Sequence, residues 1–168
     1  TQVTSDGGDG IVYGQSVHRN EFGITGGFFW SPDDKKLAFY RMDESMVTDY
    51  PLVDITSIPA KVENIKYPMA GQSSHHVRLG VYNLSGDPLV YMNTEGPKDQ
   101  YLCSVGWTPD SKSVLIGLLN RDQNHLKLNR YNAQLGNIIK PILEEKSDKY
   151  VEPENAAWFN PNNPEEFI

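Results

Sequence analysis

A motif that occurs twice clearly, and a third time in weaker form, constrains the fold of this chain most. Phe29-Trp30-Ser31-Pro32-Asp33-Asp34 is matched by Gly106-Trp107-Thr108-Pro109-Asp110-Ser111, and less closely by Ala157-Trp158-Phe159-Asn160-Pro161. Each copy predicts a strand with an aromatic end and then a turn, because proline fixes φ at the first corner and aspartate caps the turn. The three tryptophans lie 77 and 51 residues apart. Propeller blades repeat at about 40–50 residues, so the longer interval predicts an insertion of about 26 residues.

Most of the remaining chain has the two-residue period of β-strands. His76–Asn83, for example, places Val77, Leu79 and Val81 on one side. Similar segments, with turn residues between them, are Leu89–Met92, Tyr101–Trp107, Ser113–Leu119, Leu126–Tyr131 and Asn137–Leu143. No long stretch carries the apolar stripe of a helix. The sequence therefore predicts an all-β fold, a partial β-propeller of about three to four blades.

The inserted segment is Asp43–Lys66. It shows no sustained alternation, yet it is rich in apolar side chains: Met46, Tyr50, Leu52, Val53, Ile55 and Ile58. Loops of this length in compact domains are usually functional or disordered, and the apolar content argues against disorder. We therefore expect residues 43–66 to form an arm that buries these side chains against another surface.

Composition and charge exclude several classes of function. The chain has 22 acidic and 15 basic residues and a net charge of −7, which argues against a surface for nucleic acid or anionic membranes. No apolar run approaches the roughly 18 residues of a membrane span. Cys103 is the only cysteine, so no internal disulfide forms, and we expect a buried, inert thiol.

Few residues are arranged for catalysis. Neighbouring residues of a strand point to opposite faces, so His75 and His76 cannot share a metal, and His18 and His125 lack ligand spacing. We therefore expect no metal and no cofactor. The chain contains no Gly-x-Ser-x-Gly nucleophile elbow, so no catalytic serine site is expected within it.

One segment fits neither a strand nor a simple turn: Ser16-Val17-His18-Arg19-Asn20-Glu21-Phe22-Gly23-Ile24. It concentrates charged and polar side chains between the strand Ile11–Tyr13 and the hairpin that begins at Phe28. From the residue chemistry alone, a solvated loop and a binding site both remain open.

Several segments together resemble the propeller of the dipeptidyl peptidase IV family. They are Gly23-Ile24, Gly27-x-Phe29-Trp30-Ser31-Pro32, Leu37-Ala38-Phe39-Tyr40-Arg41-Met42-Asp43, Tyr67-Pro68-Met69-Ala70-Gly71, Tyr101-Leu102-Cys103, Asn120-Arg121-x-Gln123-Asn124 and Tyr131-Asn132-Ala133. They keep the family's order and cover residues 11–168. The chain is most similar to bacterial members, including the prolyl tripeptidyl aminopeptidase branch.

The resemblance implies an eight-bladed N-terminal propeller, followed by an α/β-hydrolase domain whose Ser-Asp-His triad lies outside this chain. The isolated chain should then be inactive. Substrates would be peptides with a free N-terminus and with Pro, or less well Ala, before the cleaved bond. In the family's dipeptidyl peptidases, two adjacent glutamates bind the substrate ammonium group. The matching stretch here offers only Glu21, with Arg19 and Asn20 as further candidates.

The single glutamate leaves dipeptide and tripeptide release both open, and the hydrolase domain could supply the second amine-binding group. The resemblance also implies a homodimer formed through the 43–66 arm, and a periplasmic or extracytoplasmic location. The chain begins at Thr1 without a leader, and a strand pattern runs to Ile168, so we expect residues 1–168 to be a fragment of the N-terminal propeller. The alternative is a non-catalytic propeller that acts as a protein-interaction scaffold.

Overall fold

The computed structural model describes residues 2–168, and these residues form strands and one short 3-10 turn, His18–Asn20. In chain order the strands are β1 (Ile11–Tyr13), β2 (Phe28–Trp30), β3 (Lys36–Asp43), β4 (Asp49–Asp54), β5 (Lys61–Lys66), β6 (His76–Asn83), β7 (Val90–Tyr91), β8 (Tyr101–Trp107), β9 (Ser113–Leu119), β10 (His125–Asn132), β11 (Ile138–Lys146), β12 (Phe159–Asn160) and β13 (Asn163–Phe167).

The first sheet has the order β1-β3-β6-β7, with β2 also paired to β3. Strands β1 and β2 pair with successive halves of β3, and the segment between them leaves the sheet at this point. Strand β3 pairs with β6 over its whole length, from Lys36 opposite Asn83 to Asp43 opposite His76. The chain between β1 and β2 is therefore held at both ends by one central strand.

The second sheet is an antiparallel meander with the order β11-β10-β9-β8. Every residue of β9 is buried, which explains its nearly continuous apolar sequence. Strand β8 contains a bulge between Cys103 and Gly106, where Ser104 adopts a positive φ of 49°. The start of β8, before the bulge, contacts the segment between β1 and β2.

The repeated motifs lie at the junction of the two sheets. Ser31 Oγ and Thr108 Oγ1 each donate to the aspartate two residues later, at 2.6 Å in both copies. The copies also contact each other, because the indole N–H of Trp107 donates to the Phe29 carbonyl at 2.8 Å. Strands β12 and β13 form a hairpin around the third copy. The repeat therefore builds equivalent corners that dock neighbouring sheets.

The hydrophobic core lies between the two sheets. Ala38 and Leu79 of the first sheet and Ile116 of the second are fully buried. Tyr40 is also buried, and its hydroxyl donates to the Leu102 carbonyl at 3.0 Å, so its polar end is satisfied inside the core. Replacing a buried leucine such as Leu79 by alanine is expected to cost about 2–5 kcal/mol of folding free energy.

Residues 43–66 contain a hairpin rather than a loop. Strands β4 and β5 pair from Asp49 opposite Lys66 to Asp54 opposite Lys61, and they pair with no other strand of residues 2–168. The sequence pattern hid these strands because both of their faces are largely exposed, so polar and apolar residues need not alternate. Ile55 is 81% exposed and Ile58 99% exposed.

The predicted fold class, an all-β partial propeller, is confirmed. Strands β1, β6, β8 and β9 have the bounds expected from the sequence, and β10 and β11 differ by one to three residues at their ends. Within residues 2–168, the structure contains no helix long and apolar enough to cross a membrane.

Candidate functional site

The segment between β1 and β2 has a strained backbone. Three consecutive residues, His18, Arg19 and Asn20, adopt positive φ angles of 53°, 58° and 63°, and Phe22 follows with 57°. Non-glycine residues in this region cost about 1–3 kcal/mol each, so surrounding contacts must hold the segment in place. Glu21 stands in the middle of this turn, and its N–H donates to the His18 carbonyl at 3.1 Å.

Buried side chains anchor the turn to the second sheet. Val17 and His18 are buried, and the backbone N–H of Leu102 donates to His18 Nε2 at 3.1 Å. On the other side of Glu21, the Phe22 ring packs against Tyr101 with centroids 4.8 Å apart. Glu21 is therefore flanked on both sides by residues that contact the start of β8.

Arg19 points away from Glu21. Its guanidinium donates to the backbone carbonyl of Lys66 and lies over the Tyr67 ring, 4.6 Å from the centroid. This contact joins the turn to the base of the β4–β5 hairpin. Asn20 bonds to the Ser16 hydroxyl through its side chain. Both side chains therefore stabilise the turn itself.

Glu21 lies at the surface with its carboxylate unengaged. Among the residues that the structure describes, none forms an ion pair or a side-chain hydrogen bond with this carboxylate. A structural bridge between Arg19 and Glu21 is therefore not formed. An exposed anion on a strained but anchored turn is suited to binding something from outside the chain.

The cleft beside Glu21 is acidic. It has a volume of about 510 Å³, and two further glutamates, Glu152 and Glu154, line it together with Gln123. The Val151 N–H donates to the Gln123 carbonyl at 2.8 Å and so holds the segment that carries both glutamates against the second sheet. Three carboxylates with no cation in the lining give a negative potential that favours an ammonium group.

Gly23 closes one side of this cleft by direct backbone contact. Its φ is +67°, and a Cβ atom there would lie 1.7 Å from the Glu154 carbonyl oxygen. Only glycine fits both this conformation and this approach. The turn and the segment 152–155 are therefore packed backbone to backbone.

The described residues include no group of three His, Cys, Asp or Glu side chains arranged to hold a metal ion. Cys103 is fully buried, and burial raises the pKa of its thiol to about 12. The cleft beside Glu21 therefore offers a fixed negative charge and a fixed shape for binding a ligand.

Comparison with known proteins identifies the family. The family model described as the dipeptidyl peptidase IV (DPP IV) N-terminal region matches residues 1–168. The chain belongs to the dipeptidyl peptidase IV family, in its N-terminal region. A solved structure assigned as a dipeptidyl aminopeptidase IV from Bacteroides ovatus is 52% identical with a TM-score of 0.91, and the match covers 98% of this chain and 23% of that one.

Two other relatives of the dipeptidyl peptidase IV family are more distant. Porphyromonas gingivalis dipeptidyl peptidase 4 is 29% identical with a TM-score of 0.86, over 96% of this chain and 24% of that one. A protein named probable dipeptidyl-aminopeptidase B from Pyrenophora tritici-repentis is 28% identical over 99% of this chain and 20% of its own length. The chain thus spans about a fifth to a quarter of the length of these relatives, and the family resemblance inferred from the sequence is confirmed.

The structure separates the three site residues that the sequence suggested for this dipeptidyl peptidase IV-type chain. Glu21 lines the acidic cleft and Arg19 lines a second cleft, whereas Asn20 lies between them and lines both. Sequence reasoning missed Glu152 and Glu154, which follow β11 and lie 131 and 133 residues after Glu21 along the chain. It also missed the contact of His18 with His75, because nothing local in the sequence links positions 57 residues apart.

Proposed function

We propose that this chain is the substrate-gating part of the propeller of a serine exopeptidase. In this proposal the full-length protein cleaves peptides after Pro or Ala near a free N-terminus. Membership of the dipeptidyl peptidase IV N-terminal family supports the reaction class. The catalytic triad would be supplied by a hydrolase domain of the same polypeptide, and this chain would contribute the site for the peptide's N-terminus.

The observation that carries the proposal is the free carboxylate of Glu21 on an anchored turn at an acidic cleft. A charged hydrogen bond between this carboxylate and an α-ammonium group contributes about 1.5–3 kcal/mol. An anion at a fixed place selects peptides whose N-terminus lies a fixed distance from the nucleophile. Such a contact makes an exopeptidase out of a general acyl-transfer site.

The test is Glu21→Gln in the full-length protein, assayed with a prolyl peptide amide that has a free N-terminus and with its N-acetylated form. Glutamine keeps the size but removes the charge. We expect kcat/KM for the free peptide to fall by about ten- to a hundred-and-fifty-fold, with much of the loss in KM because the ammonium is bound in ground and transition states alike.

The acetylated peptide carries no ammonium charge, so its turnover should change little. Equal losses for both peptides would show that Glu21 supports the fold instead of reading the N-terminus. No loss for either peptide would show that Glu21 does not bind the N-terminus, and no turnover of either peptide by the full-length wild-type protein would favour the alternative, a non-catalytic propeller that acts as an interaction scaffold.

We also propose that the β4–β5 hairpin forms the contact of a homodimer. Its exposed apolar side chains support this, since each large one buried at an interface contributes about 1.5–3 kcal/mol. They include Leu52, Val53, Ile55, Ile58 and Val62. Two-fold symmetry is the commonest symmetry of homo-oligomers. A dimer of this kind would bury the hairpin of each subunit against the other subunit.

A further inference from the structure

Two buried histidines support the turn that carries Glu21: His18 belongs to the turn, and His75 packs against His18. His18 is 4% exposed and His75 is 6% exposed, and their rings stack with centroids 4.9 Å apart. His18 stands three residues before Glu21, and His75 immediately precedes β6. An ammonium group bound at Glu21 does not by itself require either ring.

Hydrogen bonds fix the proton positions of this pair. His18 Nε2 accepts from the Leu102 N–H at 3.1 Å, so a neutral His18 carries its proton on Nδ1. That Nδ1 lies 3.0 Å from His75 Nε2, and the backbone N–H of His18 also donates to His75 Nε2 at 3.3 Å. His75 Nε2 thus accepts two N–H groups, and the chain of bonds requires both rings to be neutral.

We propose that His18 and His75 are positioning residues for Glu21: as a neutral hydrogen-bonded pair, they hold the left-handed turn against β8 and thereby fix the Glu21 carboxylate in its cleft. This rests on the proposed function of Glu21. The positive φ angles of His18, Arg19 and Asn20 support it, because a turn that is strained in isolation keeps its shape only through such anchors.

The surroundings keep the pair neutral. The cations that face the pair are Arg19, Arg121 and Lys66. The other titratable groups around it are His76, Glu44 and Tyr101, whose ring edge lies against His18. Burial, helped by the charges of Arg121, Arg19 and His76, lowers the pKa of His75 to about 4. Burial and the neighbouring His75 and Arg121 hold the pKa of His18 well below its ordinary value.

The direction of the pH effect follows from these shifts. An unfolded histidine titrates near pH 6.5, so between about pH 6.5 and 4 the unfolded chain binds more protons than the folded one. The stabilisation of the turn is therefore complete above about pH 6.5 and is lost as the pH falls toward 4. A proton on His75 Nε2 would oppose the two N–H groups that it now accepts.

The test uses three variants of the full-length protein. In His75→Gln the side-chain oxygen can accept the same N–H groups but does not titrate, and in His75→Leu nothing accepts them. His76→Gln is the matched control, since His76 neighbours the pair without bonding to it. At pH 8 we expect His75→Leu to lower kcat/KM for the free-N-terminus peptide by about tenfold or more, mainly through KM, and the other two variants to stay within about threefold of wild type.

The pH profile separates positioning from a general loss of stability. The ratio of wild-type to His75→Gln kcat/KM cancels the titration of the catalytic triad, which both enzymes share. We expect this ratio to be flat above about pH 6.5 and to fall toward pH 4. A ratio independent of pH would overturn the proposal. Because the ratio needs only the wild type and His75→Gln, it tests the positioning role even if His75→Leu does not fold.

A double variant shows whether the pair acts through Glu21. If it does, adding His75→Leu to Glu21→Gln should cost little further activity, because the contact that it positions is already lost. If the two losses multiply, and the loss caused by Glu21→Gln is still confined to the free peptide, the positioning role is refuted and the proposed function stays intact. Equal losses of Glu21→Gln on both peptides would refute the proposed function instead.

Discussion

Gly23→Ala is the substitution that tests the geometry of the acidic cleft most severely. The new Cβ would lie 1.7 Å from the Glu154 carbonyl oxygen and 2.5 Å from its carbon, where side-chain contacts are essentially never closer than 3.0 Å. The turn and the segment 152–155 would have to separate by more than 1 Å. That movement would displace Glu21 from Glu154 across the cleft.

Two costs combine in this variant. An L-residue in the left-handed region costs about 1–2 kcal/mol, and forced overpacking costs typically about 1–3 kcal/mol, so the free energy of unfolding should fall by about 2–5 kcal/mol. Gly71→Ala is the matched control, because Gly71 has a φ of +77° but no atom within 4 Å of the new Cβ. The control should show only the conformational cost of about 1–2 kcal/mol.

Both variants are measured in the full-length protein by denaturant unfolding and by steady-state kinetics with free and N-acetylated prolyl peptides. We expect Gly23→Ala to lose more stability than Gly71→Ala and to raise KM for the free peptide alone. Gly71→Ala should leave both KM values unchanged. Equal behaviour of the two variants would mean that the backbone contact at Glu154 does not shape the site.

Two further predictions concern other parts of the chain. Replacing residues 50–65 by a short Gly-Ser linker in the full-length protein should convert a dimer to a monomer in light scattering, whereas an unchanged mass would place the contact elsewhere. Burial raises the pKa of the Cys103 thiol to about 12, so iodoacetamide at pH 8 should leave this thiol unmodified in the folded protein and alkylate it after unfolding. Rapid alkylation of the native protein would contradict the burial of Cys103.

The sequence predicted those parts of the fold whose cause is local. In each repeated corner, Ser31 or Thr108 bonds to the aspartate two residues later, so the turn is encoded within a few positions. The strands next to these corners alternate because one face is buried. Both signals can be recognised in a single sequence without knowledge of the partner strands.

The remaining parts depend on contacts between distant positions. The β4–β5 hairpin was not recognised as strands because neither of its faces is buried within the described chain. Glu21 was found through the resemblance to the family, but its cleft needs Glu152 and Glu154, and its anchoring needs His75 and Leu102. Sequence periodicity carries no information about such pairings.

Glu21 is proposed to bind the N-terminal ammonium group of a peptide. The most direct measurement is a crystal structure of the full-length protein with an uncleaved peptide bound. We expect the α-ammonium nitrogen within about 2.7–3.2 Å of the Glu21 carboxylate, with the turn at His18–Asn20 unchanged. A peptide whose N-terminus is bound by other groups, with Glu21 facing solvent, would contradict the account.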